Sequence, residues 1–147
     1  MIHLARFFFS VIFSASLLLS GCKSPDEPLP TGRAAVIEGN SDGATRAFVW
    51  IPTMSGGMGA TLSQPYQVWI ENSKYSRKIM VVEAYKTDGY RLHWRSSDIL
   101  EICYAHAHIY KFRNIAEFWS REQSEDMPVN IKLIEVVLRR VESLDSC

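Results

Sequence analysis

The feature that most constrains this fold is a strict alternation between Tyr90 and Arg95. There Tyr90, Leu92 and Trp94 fall on one side of an extended chain, and Arg91, His93 and Arg95 fall on the other. Side chains repeat every two residues on a strand and every 3.6 on a helix, so a helix would scatter these six around its circumference. The segment predicts a strand with one apolar and one cationic face. A half-buried strand of this kind needs neighbours, and the rest of the chain supplies them.

Tyr66, Val68 and Ile70 alternate with Gln67, Trp69 and Glu71 in the same way. The segments 46–51, 78–86 and 99–104 are rich in β-branched and aromatic residues, which suit a pleated, half-buried surface. Thr87-Asp88-Gly89 reads as a hairpin turn joining 78–86 to 90–95, and 106–112 is expected to continue or pair with the strand before it. Val129 to Val141 fits a long bulged strand. A helix with Ile131, Ile134, Leu138 and Val141 on one face is the alternative, disfavoured by the valine and isoleucine content. Asn114 stands three residues before Glu117, and Ile115, Phe118 and Trp119 then recur at helical spacing, which predicts one short helix ending near Gln123. The expected fold is mostly β: a single small antiparallel β-sandwich or partly open barrel with one short helix.

The amino-terminal residues are of a different kind. Arg6 precedes an apolar run from Phe7 to Leu19, which stops at Ser20-Gly21-Cys22. That run falls short of the roughly 20 apolar residues a transmembrane helix needs, so it reads as a signal peptide over residues 1–21. Leu19-Ser20-Gly21-Cys22 resembles the lipobox of bacterial lipoproteins, a large aliphatic residue and two small ones before a cysteine. The resemblance implies lipidation of the Cys22 sulfur, cleavage before Cys22 and a lipid-anchored, periplasm-facing protein. Lys23 rather than aspartate follows the cysteine, which implies the outer membrane in an enteric-type host. Residues 22–43, with Pro25, Pro28, Pro30, Gly32 and Gly39, read as the lipidated cysteine and a tether in which only 34–38 is suited to an edge strand. The β-rich domain is then expected over 44–147.

Two further likenesses rest on turns. Ser41-Asp42-Gly43 before 46–50, and Trp94-Arg95-Ser96-Ser97-Asp98 before 99–104, are similar to halves of a TolB-like propeller blade, although the chain is too short to close a propeller. The order Ser41-Asp42-Gly43, Phe48-Val49-Trp50, Gly59-Ala60-Thr61, Val68-Trp69-Ile70, Leu92-His93-Trp94 and Leu100-Glu101-Ile102-Cys103-Tyr104 resembles a group of small bacterial lipoproteins of unknown function. That resemblance implies no particular activity.

Sixteen basic residues balance sixteen acidic ones, so nothing marks the chain for nucleic acid. Beyond Cys22 only Cys103 and Cys147 remain, an even pair that in an oxidising compartment is a candidate disulfide. His106 and His108 alternate and would share one face of a strand, but two ligands are too few for a metal site; His93 and Glu101 would complete a set only if strand pairing brought them close. Ser55-Gly56-Gly57-Met58-Gly59 lacks the lysine and spacing of a phosphate loop, and no Gly-x-Ser-x-Gly elbow is present. No catalytic residues, cofactor or metal are assigned. Trp50, Trp69, Tyr66, Tyr75, Tyr85 and Trp119 are too many to be all inward on a domain this small. The functional expectation is a membrane-anchored binding or accessory module of the cell envelope whose partner is an envelope or toxin protein. The alternatives are an immunity-type lipoprotein that neutralises a secreted toxin and, less favoured, an envelope hydrolase.

Overall fold

A computed structural model of the chain describes residues 28–53, 64–119 and 131–147. They form a two-sheet sandwich. Nine strands run in order: β1 (Gly32–Gly39), β2 (Thr45–Pro52), β3 (Tyr66–Asn72), β4 (Arg77–Tyr85), β5 (Arg91–Ser96), β6 (Ile99–Tyr104), β7 (His108–Phe112), β8 (Ile115–Trp119) and β9 (Ile131–Arg140). One sheet has the order β1-β2-β3-β4-β7, the other β5-β6-β9-β8. All pairings are antiparallel except β6 with β9, which is parallel.

The alternation seen in the sequence decides what is buried. Leu92, Leu100, Ile102, Ile134, Ala116 and Phe118 from the smaller sheet face Ala47, Val49, Val68, Ile70, Val82 and Ala84 from the larger one across a single core. Tyr90 and Leu92 are buried and Arg91, His93 and Arg95 exposed, the two faces expected of that segment. Trp94 is only half-buried, because it lies where the sheet edges meet and donates its indole N–H to the Glu38 carbonyl of β1 at 3.3 Å.

Four features differ from the sequence expectations. The segment 115–119 is a strand and not a short helix. Ala116 and Phe118 are fully buried at period two, and the Asn114 carbonyl accepts the Val136 N–H at 2.7 Å instead of starting a helical turn. The free side of β9 needed a partner, and that tertiary demand outweighed the local spacing. Helix is confined, among the described residues, to a single 3-10 turn at Leu144–Ser146. Thr87-Asp88-Gly89 does not close a hairpin; with Gly89 at φ +120 it carries the chain from β4 in one sheet to β5 in the other. β7 pairs with β4, not with the strand that precedes it. Finally, the edge strand expected over 34–38 extends over the whole of β1 and pairs with β2 from Gly32↔Pro52 to Gly39↔Arg46, so this part of the expected tether belongs to the sandwich ahead of Ala44.

The two turns that resemble propeller-blade halves meet at one end of the sandwich. The Asn40 side-chain amide donates to the Ser97 carbonyl at 2.8 Å. Asp42 caps the β2 start by accepting from the Ala44 N–H at 2.9 Å, the Thr45 N–H at 2.7 Å and the Thr45 hydroxyl at 2.6 Å. The Lys132 ammonium, extending from β9 between the sheets, pairs with Asp42 and stands 3.8 Å from Asp98. Partial burial raises the Asp42 pKa, but the bonds from Lys132 and Thr45 outweigh it and hold the carboxyl well below the ordinary carboxylate range. The opposite end is tied covalently. Cys103 on β6 is disulfide-bonded to Cys147, their Cα atoms 6.1 Å apart.

Candidate functional site

The face of the smaller sheet that points away from the core holds an arrangement that a solvated sheet surface does not require. Glu101, in the middle of β6, is on this outer face yet only 3% exposed. A glutamate there ordinarily reaches into water. Here Arg95 from β5 hydrogen-bonds its Oε1, and Arg139 from β9 lies 3.8 Å from the same oxygen. His93 sits directly opposite Glu101 across the β5–β6 pair. The strand order places the three charged residues: β6 is flanked by β5 and, through the parallel pairing, by β9.

A buried carboxylate carries its full desolvation cost unless donors surround it, and two guanidiniums provide them. The two arginine side chains remain about half exposed, Arg95 at 50% and Arg139 at 49%. Glu101 therefore holds two partly exposed arginines, a residue type whose fork geometry suits a carboxylate presented by another surface.

Further along the same face, in the first half of β9 and on β8, large apolar side chains are exposed among Glu117 and Glu135. Ile131 and Leu133 on β9 are 59% and 52% exposed, and Ile115 on β8 is 42% exposed. The register makes them neighbours: Ile131 pairs with Trp119, Leu133 with Glu117 and Glu135 with Ile115. Large aliphatic side chains on a sheet face normally turn inward, so this group is a candidate contact patch. Trp119 is half-buried and lies under the Arg77 guanidinium, 4.5 Å from its ring centroid.

The outer face of the larger sheet is organised around satisfied groups. Trp69 is 1% exposed and Phe48, its cross-strand partner, 5%. The Trp69 indole N–H donates to Gln67 at 3.0 Å, and the Gln67 amide donates to Glu83 at 2.9 Å. Lys111 stands 3.4 Å from the second Glu83 oxygen. Burial raises the Glu83 pKa, but hydrogen bonds from Tyr110 and Gln67 and the charge of Lys111 outweigh it, leaving the carboxyl below its ordinary value. Tyr110 also stacks on Tyr85, centroids 4.9 Å apart.

The residues singled out from sequence are distributed as follows. His106 lies in the connection after β6, outside any strand, with Nδ1 2.9 Å from Asp88; His108 begins β7 opposite Tyr85. They do not share a strand face, and His93 and Glu101 lie on the four-stranded sheet rather than on β7. No group of three or more His, Cys, Asp or Glu is arranged to hold a metal among the described residues. Of the six aromatics, Trp69 is buried, Trp50, Tyr66, Tyr75 and Trp119 are half-buried, and Tyr85 is exposed at 39%. Cys22 and the loop Ser55 to Gly59 lie outside the described residues. Sequence reasoning missed the Arg95–Glu101–Arg139 cluster, because β6 and β9 are far apart in the chain and pair in parallel. It read the phase change between Ile131, Leu133 and Ile134, Val136 as a bulge, whereas β9 pairs with β6 and β8 without a register shift and the change instead puts Ile131 and Leu133 on the outer face.

No family model matches the chain, and no curated protein or solved structure is similar to it.

Proposed function

We propose that this protein is a lipid-anchored module of the bacterial cell envelope that acts by binding, and that its binding surface is the outer face of the β5-β6-β9-β8 sheet. The address rests on Leu19-Ser20-Gly21-Cys22. The binding reading rests on one observation: Glu101, buried on a solvent-side face, holds Arg95 and Arg139 on the same face as the exposed Ile115, Ile131 and Leu133. Arginine is enriched where proteins meet, and exposed large apolar side chains grouped on one face mark contact surfaces.

The anchor would attach at one end of the sandwich. From Cys22 to the β1 start at Gly32 an extended chain spans at most about 35 Å. The tethered end is the one that carries the β1 start with Pro52, Tyr66 and His108, and the Ser41-Asp42-Gly43 turn is at the other end. Lipid chains contribute about 0.8 kcal/mol per buried methylene, so two or more make the attachment effectively permanent and leave the sheet face free for a partner.

Metabolic labelling with a palmitate analogue in a lipoprotein-processing host tests the address. The wild-type chain is expected to label and Cys22→Ala to lose the label; labelling that survives the substitution removes the lipid anchor from the proposal.

A further inference from the structure

We propose that the partner of this face is a second copy of the same chain, an inference that rests on the lipid-anchored binding reading and names the occupant of its surface. The face is complementary to itself. Toward the β5 edge stand His93 and Arg95, and at the C-terminal end of β9 stands Arg139, with Glu101 withdrawn beneath the arginines. Toward the β8 edge and the first half of β9 stand the exposed Glu117 and Glu135 among Ile115, Ile131 and Leu133. A two-fold rotation about an axis lying in the plane of the face, on the diagonal between these two regions, turns the basic region of each copy toward the glutamates of the other. An isologous contact of this kind needs one patch that carries both halves of the match, and this patch does. A foreign partner would have to reproduce the same diagonal of charge.

The area sets the strength. Four strands about 4.8 Å apart, the longest some 30 Å, offer on the order of 450 Å² per copy. That is below the roughly 800 Å² per partner of a standard stable interface, so the pairing is weak between free copies. Anchoring both copies in one membrane confines them to a thin layer and raises their effective concentration, which favours a contact too weak for dilute solution. The pairing is therefore a property of the anchored protein.

Two full-length copies carrying different tags, expressed together and crosslinked in their membranes before detergent extraction, provide the test. Capture of one tag is expected to retain the other. Leu133→Lys, which places a charge in the apolar patch, and the pair Glu117→Lys with Glu135→Lys, which makes the face uniformly basic, are each expected to cut that retention at least about tenfold. An intact Cys103–Cys147 bond and an unchanged melting temperature show that these variants remain folded. Wild-type copies that are not retained together, or retention indifferent to both variants, overturn the inference. If the face instead retains a different envelope protein and loses it in the same variants, self-pairing is wrong and the binding reading stands; if it retains nothing, both fall.

Discussion

The two outer faces of this sandwich solve the same problem in opposite ways. Each carries a poorly exposed carboxylate among large side chains. On the five-stranded sheet, Glu83 is tied through Gln67 to the buried Trp69 and paired with Lys111, and the exposed large apolar residues are Ile37 at one edge and Tyr85, Tyr110 and Phe112 toward the other. On the four-stranded sheet, Glu101 is held by arginines that remain half in water, and Ile131, Leu133 and Ile115 lie along the β8–β9 pair. The first face spends its polar groups on its own packing, whereas the second leaves donors and apolar area available. A sheet face is thus better classified by what its polar groups still offer than by its count of aromatics.

The largest effect that separates the faces is on stability. Trp69→Ala removes a fully buried indole and is expected to cost about 3 to 5 kcal/mol, whereas Leu133→Ala, removing an exposed side chain, is expected to stay within about 0.5 kcal/mol. Denaturant titration of both variants measures this. Similar losses would mean that Leu133 packs as a core residue and that the faces do not differ as described.

Next is the covalent tie that fixes β6, the strand carrying Glu101, to the C-terminal turn. Replacing Cys103 and Cys147 by alanine opens a loop with a separation of 44 residues, and the expected loss is about 2 to 4 kcal/mol. Free-thiol titration of the unfolded, unreduced wild-type protein is expected to find neither cysteine reactive. A double variant as stable as wild type would show that the core, not the bridge, holds this end.

The smallest effect is on pH dependence. Because the folded-state pKa of Glu83 is depressed, its contribution is complete above the ordinary carboxylate range and is lost as pH falls through that range and below it. Asp42 behaves in the same direction. Wild-type melting temperature is expected to be level from about pH 7 to 5 and to fall below about pH 4, where carboxylates protonate. Glu83→Gln is expected to be less stable at neutral pH by about 1 kcal/mol and to lose less on acidification. An unchanged acid slope would remove Glu83 from the network that supports Trp69.

The mostly-β class, the two faces of 90–95 and the strand near 131–140 were legible because period-two alternation is a local property. The strand at 115–119 was hidden by competing periods: Ile115, Phe118 and Trp119 suit a helix, and only the unpaired side of β9 decides for Ala116 and Phe118. The sheet change at Thr87-Asp88-Gly89 was equally hidden, since the same turn chemistry serves a hairpin and a crossover. The candidate site was the least legible part. Arg95 and Glu101 are near in sequence, but Arg139 joins them only through the parallel β6–β9 pairing, which no local pattern encodes.

The central claim is that the four-stranded face binds and the five-stranded face does not, and site-specific photocrosslinking on the full-length protein in its own membrane tests it most directly. A photoreactive side chain at Leu133 and, separately, at Tyr85 samples two residues of comparable exposure, 52% and 39%, on opposite faces. The account predicts discrete crosslinked species from Leu133 that disappear with Arg139→Ala, and none from Tyr85. Discrete species from Tyr85 with none from Leu133 would contradict it.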